Sequence, residues 1–506
     1  MPTSRVSHGG SAIASHRWMI VLVLLLGAIT LMLGDMVPAN DGLGWDGVMY
    51  GKLTRDMFQM IHDGQLNSYY AQRLLPSLLV RGLLDLTGLP LTNPNIIKAF
   101  FLYNWVLLLG VCMLWKRVSN HFSLSVTGRW LGFAAIFLTF ECAKQSFYYP
   151  VLTDVTALFV GMLMLVFYVE RRPLPLLITS LIGAFAWQVV GLSGAILLAF
   201  MNTALSASAI TPVSVMPAVS APHVIRRISK TWWIVLALST LVVAVVFGGF
   251  VLFGEEPTLL RTKLLQGVGR FATGAPSLLA AFIGLAMLVN SRAFIAEVLV
   301  GIKRTNKLPV AFAIAAIVVP ALVVRAISNP LVPNPSGMGL VAWLMLLPPN
   351  GKILLSLVTN FVFWGPMVIV LLLKWDAFCV EARRLGPGFV FVIGLSLLLC
   401  LVTEPRFITS AWPFFVLGGV LVMEKQTGRQ FLIVFGVVTL LLAQFWLKIN
   451  FEPWIGPADD NLKSFPKQLY FMHYGLWMSW PTFAVQLLLA GITIMLMKKS
   501  LEPKSH

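Results

Sequence analysis

Runs of about 20 apolar residues recur along almost the whole chain. The first, RWMIVLVLLLGAITLML at 17–33, sets the pattern. A helix of that length covers the roughly 30 Å hydrocarbon core of a bilayer. A soluble fold has no interior able to bury more than a few such runs. Composition agrees: 58% of the residues are hydrophobic and 11% are charged, against about 25% charged in soluble domains. The short alternating strands of an outer-membrane barrel are not the pattern here. The expected fold class is therefore an all-α polytopic membrane protein, a bundle of about 12–14 transmembrane helices in one transmembrane domain over 1–506. Spans are read near 18–36, 99–115, 130–143, 152–169, 174–187, 189–205, 232–253, 276–290, 309–327, 353–373, 387–402, 412–423, 431–447 and 481–497. The pair between Leu174 and Leu205 reads equally as one broken helix, since Gly183, Trp187-Gln188 and Gly191 interrupt it.

The net charge of +17 follows from orientation. With the N-terminus inside and the spans alternating, inner segments hold 22 of the 37 basic residues but 6 of the 20 acids. Almost all the excess positive charge thus lies inside, as the positive-inside rule requires. The expected location is the cytoplasmic (inner) membrane, multi-pass, with both termini cytoplasmic. The basic N-terminus and first apolar run read as an uncleaved span. The charge is no argument for nucleic acid. Cys112, Cys142, Cys379 and Cys400 show no CxxC or CxxH spacing, so packing thiols are expected, not a metal site or disulfide framework. GxxxxGK[ST], GxSxG and HExxH are all missing from the sequence, and GxGxxG occurs once, as GLGWDG at 42–47. That removes the motif basis for a nucleotide-driven pump or a zinc protease. No metal or cofactor is expected.

On this map the outer face holds the long segments: 37–98, 254–275 and 449–480. The stretch at 328–352 is apolar and Pro-rich, and reads as partly re-entrant. Inner loops read as short and plain. In 37–98, the segment from Asp46 to Gly64 repeats Met49, Leu53, Met57 and Met60/Ile61 on one helical face. This predicts an amphipathic interfacial helix headed by Asp46, with a second helix from Ala71 to Leu86. Asp46 reads as a helix N-cap and also as a candidate base, two readings that one carboxylate could satisfy. Arg73 and Arg81 alone read as snorkelling cations.

Two later outer turns carry further candidates. In CAKQSFYYPVLTD, 142–154, Lys144, Tyr148, Tyr149 and Asp154 share one membrane surface, and Asp154 opens a span. In VTEPRFITSAWPFF, 402–415, Glu404 and Arg406 stand between two spans. Ionisable residues at the edge of a span are functional-site candidates, and an Arg fork suits a phosphate. The plainer reading is a structural Glu404–Arg406 pair. Glu255, Glu256, Arg261, Lys263 and Arg270 decorate another outer segment, and His473 with Tyr474 the last one; the aromatics there read as interface belt, and His473 as a surface residue in preference to an acceptor contact.

Taken in order, WDGVMY, YYPVLTD and EPRFITSAWPFF resemble the GT-C superfamily of polyprenyl-phosphate-sugar-dependent glycosyltransferases, and YYAQRLLPSLL at 69–79 resembles the segment that follows the first acid in bacterial members. The chain departs from the pattern in having Phe407 where Tyr is commoner and one following proline, Pro413. The oligosaccharyltransferase branch, with its large C-terminal periplasmic domain, is not expected. The resemblance implies a GT-C-like bundle and inverting transfer of a sugar from a polyprenyl-phosphate donor to a glycan, lipid or protein acceptor hydroxyl. In it Asp46 is the base, while Asp154, Arg406, Glu404, Arg73, Lys144, Tyr50 and Tyr149 bind substrate. The expected partners are that donor, the acceptor and membrane lipid. The rival reading is a secondary transporter or flippase of a polar or lipid-linked substrate. A transporter usually shows two similar halves, and no clear internal repeat is visible. A polysaccharide polymerase or ligase, built on outer arginines and a large late loop, fits the modest 449–480 segment less well. A cluster of Asp46, Asp154 and Arg406 in one outer-facing cavity would favour the enzyme, and a ring of them around a central pore would favour transport.

Overall fold

The computed structural model describes residues 8–201, 277, 279–304, 307–333, 352, 354–402, 404–424, 426, 428–444, 475, 478 and 480–501. The span at 232–253, the 254–275 segment and its charges, and His473 and Tyr474 lie outside the described residues. So do 334–351 and most of 449–480. Every described element is helical. Among the described residues, four stretches are long and apolar enough to cross a membrane: Ser15–Leu33, Asn93–His121, Lys307–Ile327 and Trp480–Leu501. Nine shorter apolar helices of 10–17 residues are described beside them. The long helices turn bare leucines, isoleucines and methionines outward, among them Leu25, Met32, Ile314, Leu322, Leu488 and Met495. Contiguous apolar surface of that kind suits lipid and not water.

The elements that place the site are few. Helix α1 is His8–Leu33, α2 is Asp46–His62 and α3 is Leu74–Thr87. Helix α4 is Asn93–His121, α5 is Val126–Phe137 and α6 is Asp154–Val169. Then come α7, Pro173–Gly183, and α8, Gln188–Ala199. The sequence left these last two open as one broken helix or two. Gly194 of α8 lies against the Ser180 side chain of α7, which only a chain folded back on itself permits. They form a hairpin with its turn at 184–187.

Two segments that the charge map read as plain inner loops are helical instead: α9, Arg292–Arg304, and α12, Trp375–Leu385. Between them come α10, Lys307–Ile327, and α11, Leu355–Trp364. After them come α13, Pro387–Leu399, α14, Trp412–Met423, α15, Arg429–Ala443, and α16, Trp480–Leu501. Helix α12 buries Phe378, Cys379, Ala382 and Leu385 and sets its charges elsewhere. That is an amphipathic period broken by charges, which a scan for long apolar runs passes over.

Helices α4, α6, α7 and α8 pack in sequence, with α10 laid along α8, while α14 packs on both α5 and α6. The α6–α14 contact is close because residue 161 is glycine. A Cβ there would collide with the Ser410 backbone carbonyl, just before α14. Backbone cannot swing away as a side chain can, so Gly161→Ala is expected to cost about 1–3 kcal/mol of stability by overpacking. Thermal unfolding of the purified variant checks this. A wild-type melting profile would show the approach to be loose.

Tryptophans fix the turn that leads into α14. Trp412 opens the helix with Pro413 next to it, a residue suited to a first turn. Its indole N–H donates to the Ala135 carbonyl of α5 at 2.9 Å. Its ring stacks on Trp364, 4.6 Å between centroids. The Trp364 indole in turn donates to the Pro405 carbonyl at 3.1 Å. The backbone on either side of Arg406 is thereby tied to α5 and α11.

Candidate active site

Arg406 is the centre of the cluster. It lies in a short 3₁₀ turn, Pro405–Ile408. Its Nη2 stands 3.0 Å from the Glu404 carboxylate and 3.5 Å from that of Asp46, and its Nη1 stands 3.6 Å from that of Asp154. Three chain segments, separated by 108 and 252 residues, thus meet on one guanidinium. Arginine is the cation able to do this, since its planar fork spreads charge and donors over several directions. The acids differ in access: the Asp46 side chain is 42% exposed, Glu404 16% and Asp154 2%. Only Asp46 presents an open carboxylate.

The freedom of Asp46 has a local cause. It is the first residue of α2, and the N-cap position is Trp45, whose side chain makes no capping bond. The expected capping bond from Asp46 is therefore not formed. The Tyr149 hydroxyl accepts from the Gly47 N–H instead, at 2.9 Å, satisfying one of the orphan donors of the first turn. Gly44 makes room for this. Its φ of +69° and the Tyr149 ring packed against it exclude a side chain. Burial raises the Tyr149 hydroxyl well above its ordinary value, with the Asp46 charge adding to the effect, so the phenol stays neutral. Tyr149→Phe removes the acceptor and keeps the ring. It is expected to cost about 0.5–2 kcal/mol, the usual worth of a cap. A melting temperature equal to wild type would count against it.

Asp154 opens α6, where its charge suits the positive end of the helix. Behind it lies a π-turn, Glu141–Gln145, a rare helical form that is frequent at functional sites. Glu141 is fully buried, and neither of its oxygens has a hydrogen-bond partner among the described residues. Sequence reading passed over it. The signal was an acid inside the apolar run FLTFECA, 137–143, which the rule for intramembrane ionisable residues would have flagged.

The other expected site residues divide. Tyr50, one turn after Asp46 on α2, accepts from Arg73 Nη1 at 2.9 Å. Burial raises its hydroxyl too, opposed by the Arg73 cation. Arg73 is itself buried, its guanidinium 4.2 Å from the Tyr69 ring centre and 4.6 Å from that of Trp187. It therefore faces protein rather than solvent. Lys144 bonds Asp35 at 2.7 Å, both side chains being nearly buried, and lies 5.3 Å from the Tyr148 ring centre. Burial lowers the Lys144 ammonium below its ordinary value and Asp35 opposes that shift. This pair ties the end of α1 to the π-turn. The structure therefore brings Asp46, Asp154, Glu404 and Arg406 into direct contact and sets Tyr50, Arg73 and Tyr149 around them. Lys144 is taken up by Asp35. Among the described residues no set of three or more His, Cys, Asp or Glu is placed to hold a metal ion.

Chemically the cluster offers an accessible carboxylate beside a guanidinium, with two shielded carboxylates holding the guanidinium in place. That suits removing a proton from one group while steadying an anion on its neighbour. No family model, curated protein or solved structure matches the chain.

Proposed function

We propose that the protein is a membrane glycosyltransferase of the GT-C kind, with 12–14 spans in the inner membrane and the cluster at its outer face. It moves a sugar from a polyprenyl phosphate to an acceptor hydroxyl. One observation carries the reading: an exposed Asp46 stands 3.5 Å from Arg406, which is itself anchored by two shielded acids, all at one end of the helices.

The roles follow from access. Asp46 takes the proton of the acceptor hydroxyl as its oxygen attacks the anomeric carbon. The bond from that carbon to the phosphate oxygen breaks, and the electron pair leaves with the polyprenyl phosphate. Arg406 stabilises the negative charge gathering there, the kind of fixed electrostatic assistance that acts mainly in the transition state. Asp154 and Glu404 orient Arg406. One displacement inverts the anomeric centre, and no covalent sugar–protein intermediate is formed. Apolar helix faces open to lipid take the prenyl chain.

The test is a transfer assay with purified protein in lipid nanodiscs. The donors are a panel of polyprenyl-phosphate sugars labelled in the sugar, and the acceptor is a membrane extract. The reading requires label on an acceptor together with release of free polyprenyl phosphate. Label that crosses sealed vesicles without leaving its lipid would instead support the transporter or flippase reading, and would overturn this one.

A further inference from the structure

We infer that Trp187 is a positioning residue, one half of a clamp on Arg73 that fixes how α2 stands relative to Arg406. No sequence feature assigned it such a part; the residue counted only as an interruption of an apolar run.

The geometry forms a closed circuit. Trp187 sits in the turn of the α7–α8 hairpin, in extended backbone with φ −154° and ψ 131°. That conformation turns its side chain off the helix axis. The first outer loop is tied to the same turn, because the Leu75 N–H donates to the Phe185 carbonyl at 2.9 Å. Trp187 and Tyr69 then flank the Arg73 guanidinium. Arg73 Nη1 holds the Tyr50 hydroxyl at 2.9 Å, and Tyr50 shares a face of α2 with Asp46, four residues earlier. On its other side Trp187 meets Phe407 edge-on, 6.1 Å between centroids, and Phe407 follows Arg406 in the chain. From Asp46 the path runs through Tyr50, Arg73, Trp187 and Phe407 to Arg406, and the Asp46–Arg406 pair closes it.

A ring of contacts of this kind sets a distance. The Asp46–Arg406 pair alone spans 3.5 Å between an open side chain and a partly buried one, and such a pair is easily loosened by water. The buried path opposite it resists that. A guanidinium flanked by aromatic rings gains from the ring quadrupoles, and it is desolvated here, with 4% of its surface exposed. Lysine cannot replace it, because an ammonium offers no flat fork to stack. The clamp makes α2, the hairpin turn and the Arg406 turn move as one body.

The effect on turnover rests on the transfer reading above; the effect on stability does not. The experiment therefore has two arms. In the first, Trp187→Leu, Arg73→Met and the double variant are melted in nanodiscs. The clamp predicts that the double variant falls little further than Arg73→Met alone, because the two side chains stabilise through each other. Additive falls would overturn it. Should Arg73→Met yield no folded protein, Arg73→Lys takes its place under the same criterion. In the second arm, Trp187→Leu lowers kcat about 10²-fold, the cost of roughly 1 Å of misplacement. KM stays near wild type, and Trp187→Phe, which keeps a ring, recovers most of the loss. A raised KM with unchanged kcat would make Trp187 a substrate contact and not a positioning residue. Should wild type transfer no sugar from any donor, the transfer reading fails, while the melting arm still decides on the clamp.

Discussion

Asp46→Asn lowers transfer by about 10²–10⁴-fold, the range expected when a positioned general base is lost. The protein meanwhile melts close to wild type. Both halves of that result follow from the geometry. The amide keeps the size of the carboxylate and can still meet Arg406 through its oxygen, but it cannot take a proton. The N-terminus of α2 loses nothing, because its capping bond goes to Tyr149 and not to Asp46. An Asp46 acting mainly as a cap would give the reverse, a lowered melting temperature with substantial activity left. Rates and melting curves on the same preparation separate the two, and full activity in Asp46→Asn would remove Asp46 from the chemistry.

Arg406→Met loses stability as well as transfer. Three carboxylates then face one another without the cation between them. Exposure matters here: Asp46 is 42% exposed, and water screens most of its share. Asp154, at 2% exposure, has no such relief. Breaking a buried pair by removing one partner typically costs about 3–5 kcal/mol. Transfer falls about 10²–10³-fold as well, the effect expected when a fixed donor to the developing negative charge is removed. The second substitution is the informative one. Arg406→Met combined with Asp154→Asn takes away the stranded charge, so it recovers much of the melting temperature and none of the turnover. An Arg406→Met protein as stable as wild type would show the cluster to be solvated and loosely held.

The parts of the molecule that repeat a period could be read in advance. Long apolar runs located α1, α4, α10 and α16. The spacing of Met49, Leu53, Met57 and Met60 located α2, which ends at His62 just before Gly64. The four residues of the central contact, Asp46, Asp154, Glu404 and Arg406, were also visible, because an ionisable residue at the edge of an apolar run stands out. What could not be read depends on tertiary contact. A tyrosine about 100 residues away takes the cap that local sequence assigned to Asp46. Lys144 is held by Asp35, and no periodicity links those positions. Whether 174–205 was one helix or two turned on a glycine packing against a serine. Trp187 was hidden for a related reason, because an aromatic in an apolar stretch carries no contrast. Glu141, an acid within an apolar run, was legible and was passed over.

The cap on α2 also bears on when, during synthesis, the protein becomes competent. Asp46 and Arg406 are 360 residues apart in the chain. A nascent chain that has inserted α1 to α3 already holds Asp46, but Tyr149 has not yet been made, and Arg406 follows long after. The acid waits at a half-built helix end until segment 142–154 arrives. It then waits again until the Trp364–Trp412 stack brings in the Arg406 turn. Contacts this distant in sequence form late. On the proposed reading, chains that stop short of Arg406 are therefore expected to be inactive toward a lipid-linked substrate, and completion of the site reports that the chain has been made as far as α14.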